Sequence, residues 1–137
     1  MSSGAFFDTN VPLYLFAGGA AKASRAEDLL AEGGTVSVQV LNEIANVARR
    51  KMLLSWTETR EFLSTVRGLL GVGDLTAMVH QTGLAVAERH GFSIYDAMIV
   101  AAALHADCDT LWSEDMHDGL LIDGRLRVLN PFRAAVG

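Results

Sequence analysis

Four acidic residues carry whatever chemistry can be read from this chain. They are Asp8 in Ala5-Phe6-Phe7-Asp8-Thr9-Asn10, Glu43 in Val40-Leu41-Asn42-Glu43-Ile44, Asp96 in Ser93-Ile94-Tyr95-Asp96-Ala97, and Asp115 in Ser113-Glu114-Asp115. Each has an ordinary alternative. Asp8 and Asp115 follow short apolar stretches, where an aspartate commonly caps a turn through its own side chain. Glu43 flanks the apolar stripe of a helix and could be a solvated edge residue. Asp96 stands three residues after Ser93, the Ser-x-x-Asp spacing of a helix cap. The combination says more than any member. Carboxylates gathered in one partly buried pocket repel one another unless they are protonated or bind a cation. Oxygen donors without histidine or cysteine suit Mg2+ or Mn2+.

The elements that must position these residues follow from periodicity. Ala5-Phe6-Phe7 reads as a strand covered on both faces, with Asp8 at its tip. Asn10 as N-cap and Pro12 in the first turn then open a short helix. Helices are expected at Lys22–Glu32, about Gln39–Met52, Ser55 to about Leu70, Asp74 to about Arg89, and Ser93 to about Ala106. Ser55 and Glu58 form a capping box, Asp74 and Ser93 act as caps, and Gly33-Gly34 and His90-Gly91 are stops. Short strands are expected at Thr35–Val38, Gly71–Gly73, Thr110–Ser113 and Leu126–Leu129, with a loop from Glu114 to Gly124. Strands alternating with helices call for a parallel sheet with both faces covered. Asp8 and Asp115 then leave strand ends on the side where ligands collect in such sheets. Arg49-Arg50-Lys51 reads as a basic helix C-terminus, with a phosphate-contacting patch as the alternative.

The 137 residues fit one domain over 1–137, long enough to bury roughly two thirds of its unfolded surface. Half the residues are hydrophobic and the mean hydropathy is +0.27, an excess that implies a covering partner, most simply a second copy. The longest apolar run, Ala97 to Leu104, is far below the roughly 20 residues needed to cross a bilayer, and no secretory signal is visible. The single Cys108, between Asp107 and Asp109, suits a reducing cytoplasm and a structural role. The net charge of −5 argues at first against a polyanionic partner. Removing Asp8, Glu43, Asp96, Asp115 and Asp118 from the 16 acids leaves 11, which balance the 11 Lys and Arg. Acidity confined to a cation-binding pocket therefore does not exclude nucleic acid. His80, His90 and His105 lack zinc-ligand spacing, and only His117 lies near the acidic loop. No nucleophilic triad, P-loop or dinucleotide fingerprint is present.

With these motifs in order, the chain resembles the PIN domain, and within it the small prokaryotic VapC-type toxins. Phe7-Asp8-Thr9-Asn10-Val11 is similar to the family's opening Asp-Thr-Asn motif. Asn42-Glu43 resembles its helical glutamate, Ser93 to Ala97 its third acidic motif, and Ser113-Glu114-Asp115 its fourth, with Ser113 where Thr is more usual. The stretch from Ile122-Asp123-Gly124 to Asn130-Pro131-Phe132 looks like one subgroup. A departure follows the fourth motif, where Asp118 precedes Gly119 instead of Phe. The resemblance implies an α/β/α sandwich with a central parallel sheet, and a homodimer. It also implies Mg2+- or Mn2+-dependent cleavage of RNA, and inhibition by a cognate antitoxin. It makes Asp8, Glu43, Asp96 and Asp115 the catalytic metal ligands. Asp118, Ser113, Thr9 and Asn10 stand as supporting candidates. Three alternatives remain at this level. One is a PIN-like module that binds RNA or protein without cutting. Another is an aspartate-nucleophile phosphatase, whose Asp-x-Asp would here require Asn10 to be Asp. The third is a phosphoacceptor receiver domain, which needs a late lysine; the only lysines are Lys22 and Lys51.

Overall fold

A computed structural model describes residues 4–133. Six strands form one sheet: β1 (Ala5–Phe7), β2 (Thr35–Ser37), β3 (Gly71–Gly73), β4 (Thr110–Trp112), β5 (Leu121–Ile122) and β6 (Leu126–Leu129). The helices are α1 (Asn10–Leu13), α2 (Gly19–Ala31), α3 (Val38–Arg50), α4 (Trp56–Leu69), α5 (Ala77–His90) and α6 (Ile94–His105). This is an α/β fold with a central, mostly parallel sheet flanked by helices. Strand order is β3-β2-β1-β4-β6-β5. Only β5 runs antiparallel, paired with β6. Phe6 and Phe7 point to opposite faces of β1, and both are fully buried, so both faces of the sheet are covered.

The topology fixes where the site must be. From β1 the chain moves outward through β2 to β3, then returns to lay β4 on the other side of β1. The order therefore reverses between β1 and β4, and a crevice opens there beyond the carboxyl ends of the strands. Phe7 lies opposite Trp112, and the Asp8 N–H donates to the Trp112 carbonyl at 2.9 Å. The tips carrying Asp8 and Ser113 are thus locked side by side.

Local chemistry explains most helix ends. Ser37 Oγ accepts from Val40 N and starts α3, while Arg49 and Arg50 close it. Ser55 and Glu58 complete the expected capping box of α4. Every residue of α6 from Ala97 to Leu104 is buried, with α5 packed along it. Gly34 enters β2 at φ +147°, where a Cβ would stand 2.6 Å from the Ala5 carbonyl oxygen.

Three expectations need correction. Asp74 does not cap α5; Thr76 does, accepting from Val79 N at 3.1 Å. Asn10 is not an N-cap: Thr9 occupies that position in helical geometry without a side-chain cap. The Asn10 amide turns to carboxylates instead. The stretch from Glu114 to Gly124 is not all loop, because it contains β5. Asp123 and Gly124 both have positive φ and Arg125 N donates back to Ile122 O at 3.1 Å, the geometry of a tight hairpin turn. Asp-Gly between two short strands is the sequence signal for such a turn.

Candidate active site

Asp8 is the fixed point. Its side chain is buried, and both oxygens accept hydrogen bonds. Oδ1 accepts from the Thr9 N–H at 2.7 Å. Oδ2 accepts from Ser113 Oγ at 2.6 Å and, more weakly, from Asn10 Nδ2 at 3.5 Å. Burial is the main influence on its acidity and pushes its pKa up to about 6, against the Ser113 and Thr9 hydrogen bonds; the charges of Asp96 and Glu43 add to the rise.

The other acids are tied to Asp8 through short polar side chains. Thr9 Oγ1 donates to Glu43 Oε1 at 2.9 Å. Asn10 Nδ2 donates to Asp115 Oδ2 at 3.0 Å. Glu43 is braced from below by Gln39 Nε2, which donates to Oε2 at 2.7 Å from one turn earlier on α3. Asp96 occupies the first turn of α6, where Ser93 Oγ accepts its backbone N–H at 3.1 Å. That bond leaves the local capping reading intact for the Asp96 backbone. Its carboxyl, half-buried, is held above the ordinary range by burial and then by the charges of Glu43 and Asp115, against the Ser93 hydrogen bond. Asp96 and Glu43 thus act on Asp8, and Glu43 and Asp115 act on Asp96.

The remaining candidates divide. Thr9, Asn10 and Ser113 all contact carboxylates of the cluster. Asp118 does not: Oδ1 accepts from Asn130 N at 2.7 Å and Oδ2 pairs with Arg133 at 3.1 Å. It fastens the end of β6. His117 is exposed, its carbonyl accepting from Leu120 N.

Two contributions were missed at the level of sequence. Gln39 is one; its i, i+4 spacing from Glu43 is a signal that helix geometry would license. The other is a group around Glu114. Tyr14 OH donates to Glu114 Oε1 and Lys22 Nζ pairs with Oε2 at 2.5 Å. The Glu114 N–H in turn donates to Asn10 Oδ1 at 3.4 Å. Burial works to raise the Glu114 pKa, but the Lys22 and Tyr14 hydrogen bonds outweigh it and hold the carboxyl below its usual range. Ninety or more residues separate Glu114 from both partners, so no local pattern announces the contact.

The donor set suits a hard divalent cation, since every candidate ligand atom is a carboxylate oxygen. Burial, and then neighbouring carboxylates, raise the pKa of both Asp8 and Asp96, so added positive charge would be favourable there. Asp8 Oδ1 accepts one hydrogen bond and keeps further lone-pair capacity. Among the described residues, no three acidic, histidine or cysteine side chains already form a metal cage. Asp8, Glu43 and Asp115 are each held by at least one of Thr9, Gln39, Asn10 and Ser113.

The family model of the PIN domain matches residues 5–117. A toxin–antitoxin complex from Klebsiella pneumoniae is similar in structure, with TM-score 0.71, 22% identity, and coverage of 95% of this chain and 99% of that one. VapC20 from Mycobacterium tuberculosis, described as a Sarcin-Ricin loop cleaving toxin, gives TM-score 0.63 at 19% identity over 81% of this chain and 89% of its own. VapBC2 from Rickettsia felis, bound to a DNA fragment from its promoter, gives 0.66 at 19% identity over 92% and 97%. No protein of curated function matches this chain in sequence.

Proposed function

Because this chain belongs to the PIN domain family, we propose that it is a metal-dependent endoribonuclease that hydrolyses RNA phosphodiester bonds, and the toxin of a toxin–antitoxin pair. What supports this reading is the buried Asp8 at the β1–β4 crevice, linked through Thr9 to Glu43 and through Asn10 to Asp115, with the charge of Asp96 adding to the rise of its pKa to about 6. Those four residues would hold Mg2+ or Mn2+. When bound, such an ion supplies a Lewis acid that neutralises phosphate charge and makes water a stronger nucleophile at neutral pH. The protein's own part is orientation. Ser113 and the Thr9 N–H hold both oxygens of Asp8, Thr9 Oγ1 sets Glu43, and Asn10 Nδ2 sets Asp115. Outer partners of this kind fix ligand direction.

An antitoxin partner is supported by the complexes among the structural neighbours and by an apolar cleft of about 610 Å3 where Leu15, Phe16, Leu30 and Leu69 meet, with Glu27 and Asp28 at its rim. A homodimer is supported by exposed apolar side chains, including Met78 and Leu84 on α5. No helix among the described residues is long and apolar enough to cross a membrane, which is compatible with a cytoplasmic protein.

The test is incubation of antitoxin-free protein with total cellular RNA in Mg2+, Mn2+ or EDTA, beside Asp8→Asn prepared identically. Cutting that needs metal and vanishes in the variant supports the reading. Cutting retained by Asp8→Asn, or none by folded wild type, counts against it; the latter leaves a non-cleaving RNA- or protein-binding module.

A further inference from the structure

Beside the acid cluster, α3 and the start of α6 form a shallow, open groove of about 360 Å3 lined by Gln39, Asn42, Glu43, Asn46 and Tyr95. This is near the lower end of ligand-pocket volumes, ~300–1,000 Å3. Gln39, Asn42, Glu43 and Asn46 recur three and four residues apart, so they form one stripe along α3. Tyr95 faces them from the residue preceding Asp96.

The lining has unused recognition capacity. The Gln39 amide is engaged with Glu43. Asn42 and Asn46 are exposed, and among the described residues no hydrogen bond joins their amides to another side chain. Tyr95 is 68% exposed, so its ring face is open to a ligand. The groove contains no cation and one carboxylate, so it is unsuited to phosphate. Its complement is a flat, uncharged group with donors and acceptors along one edge. An asparagine amide offers both functions, and a tyrosine face accepts any base by stacking. Single-stranded RNA presents unstacked bases in this way.

We propose that this groove is a nucleobase subsite: an unpaired base next to the scissile phosphate stacks on Tyr95, and Asn42 and Asn46 read its edge. The assignment deepens the RNA-cleaving reading above and rests on it for the identity of the polymer. Glu43 belongs to both places, which would put the recognised base within a nucleotide or so of the cut.

The test has two arms. In the first, a random RNA pool containing 4-thiouridine is photocrosslinked to Asp8→Asn protein and the adduct is mapped. In the second, fragment ends of total RNA cut in Mn2+ are sequenced for wild type, Tyr95→Ala, Tyr95→Phe and the Asn42→Ala/Asn46→Ala pair. An adduct at Tyr95 is expected. Wild type should show a base preference beside the cut. Tyr95→Ala should cut about tenfold more slowly or worse, Tyr95→Phe should cut normally, and the asparagine pair should flatten the preference. Because these side chains are exposed, circular dichroism should match wild type. An adduct elsewhere, or a preference unchanged in Tyr95→Ala and the asparagine pair, overturns the subsite. So does a wild type without any preference at the positions flanking the cut. A Tyr95 adduct with no cutting by wild type would instead uphold the subsite and sink the nuclease reading alone.

Discussion

Thr9 Oγ1 donates to Glu43 Oε1 at 2.9 Å, joining the tip of β1 to the middle of α3. The same residue's N–H holds Asp8 Oδ1 at 2.7 Å, so one threonine sets two carboxylates from different elements. Thr9→Val keeps the shape and removes the hydroxyl. Mn2+ affinity, measured by calorimetric titration, should fall about 10-fold or more with the fold retained. Wild-type affinity in the variant would remove Thr9 from any orienting role.

Asp8 makes the metal-free protein pH-sensitive. Its folded pKa is raised from 3.8 to about 6, so between those values the folded state binds more protons than the unfolded state. Stability is therefore greatest below the unfolded pKa and declines as pH rises through the folded one. The span corresponds to about 3 kcal/mol. Chemical denaturation of EDTA-treated protein at pH 4.5 and 7.5 should show this decline in wild type and much less of it in Asp8→Asn. Asp8→Asn should also be folded and inactive on RNA. An unfolded variant would assign Asp8 to structure.

Ser113 Oγ donates to Asp8 Oδ2 and accepts from Met116 N at 3.2 Å. Ser113→Ala leaves two buried polar groups short of a partner, which should cost about 1–3 kcal/mol. Losing the donor should also push Asp8 further up, steepening the pH decline just described. Thr at 113 should restore both. An unchanged pH profile in Ser113→Ala would contradict the assigned bond.

The Lys22–Glu114 pair is partly exposed, so Lys22→Met should change stability little. Its effect should instead reach the site through the Glu114 N–H on Asn10. We expect weaker Mn2+ binding and slower cleavage at a nearly unchanged melting temperature, with Lys22→Arg close to wild type. Equal Mn2+ affinity in Lys22→Met would confine the pair to the surface.

Gly34→Ala tests the packing at the amino ends of β1 and β2, the end of the sheet away from Asp8. The new Cβ would meet the Ala5 carbonyl oxygen at 2.6 Å and the Phe7 ring at 2.7 Å, from a backbone at φ +147°. A loss of roughly 1–3 kcal/mol or more is expected from thermal unfolding. A stability equal to wild type would mean that β1 and β2 can separate freely at this end.

Much of this molecule follows from local rules. Phe6 and Phe7 announce a strand buried on both faces, Ser55 and Glu58 cap α4 as spaced, and the unbroken apolar run after Asp96 makes α6 a core helix. Local rules also mislead where two residues could do one job. Asp74 and Thr76 are both plausible caps, and only the contact with Val79 N decides between them. Asp118 looks like one more acid beside Asp115, yet Asn130 and Arg133 draw it to the end of β6.

Sequence alone therefore determined the helices, the strand carrying Asp8, and a set of four acids with the chemistry to attract a hard cation. Periodicity and capping act within a few residues, so they are written locally. The tertiary structure decided which acids meet. Three-residue strands hold too little local preference to choose their neighbours, and the order β2-β1-β4 comes from burying helices on both faces of the sheet. That order sets Asp8 beside Ser113, brings Glu43 and Asp96 in from α3 and α6, and couples Glu114 to Tyr14 and Lys22 across the length of the chain.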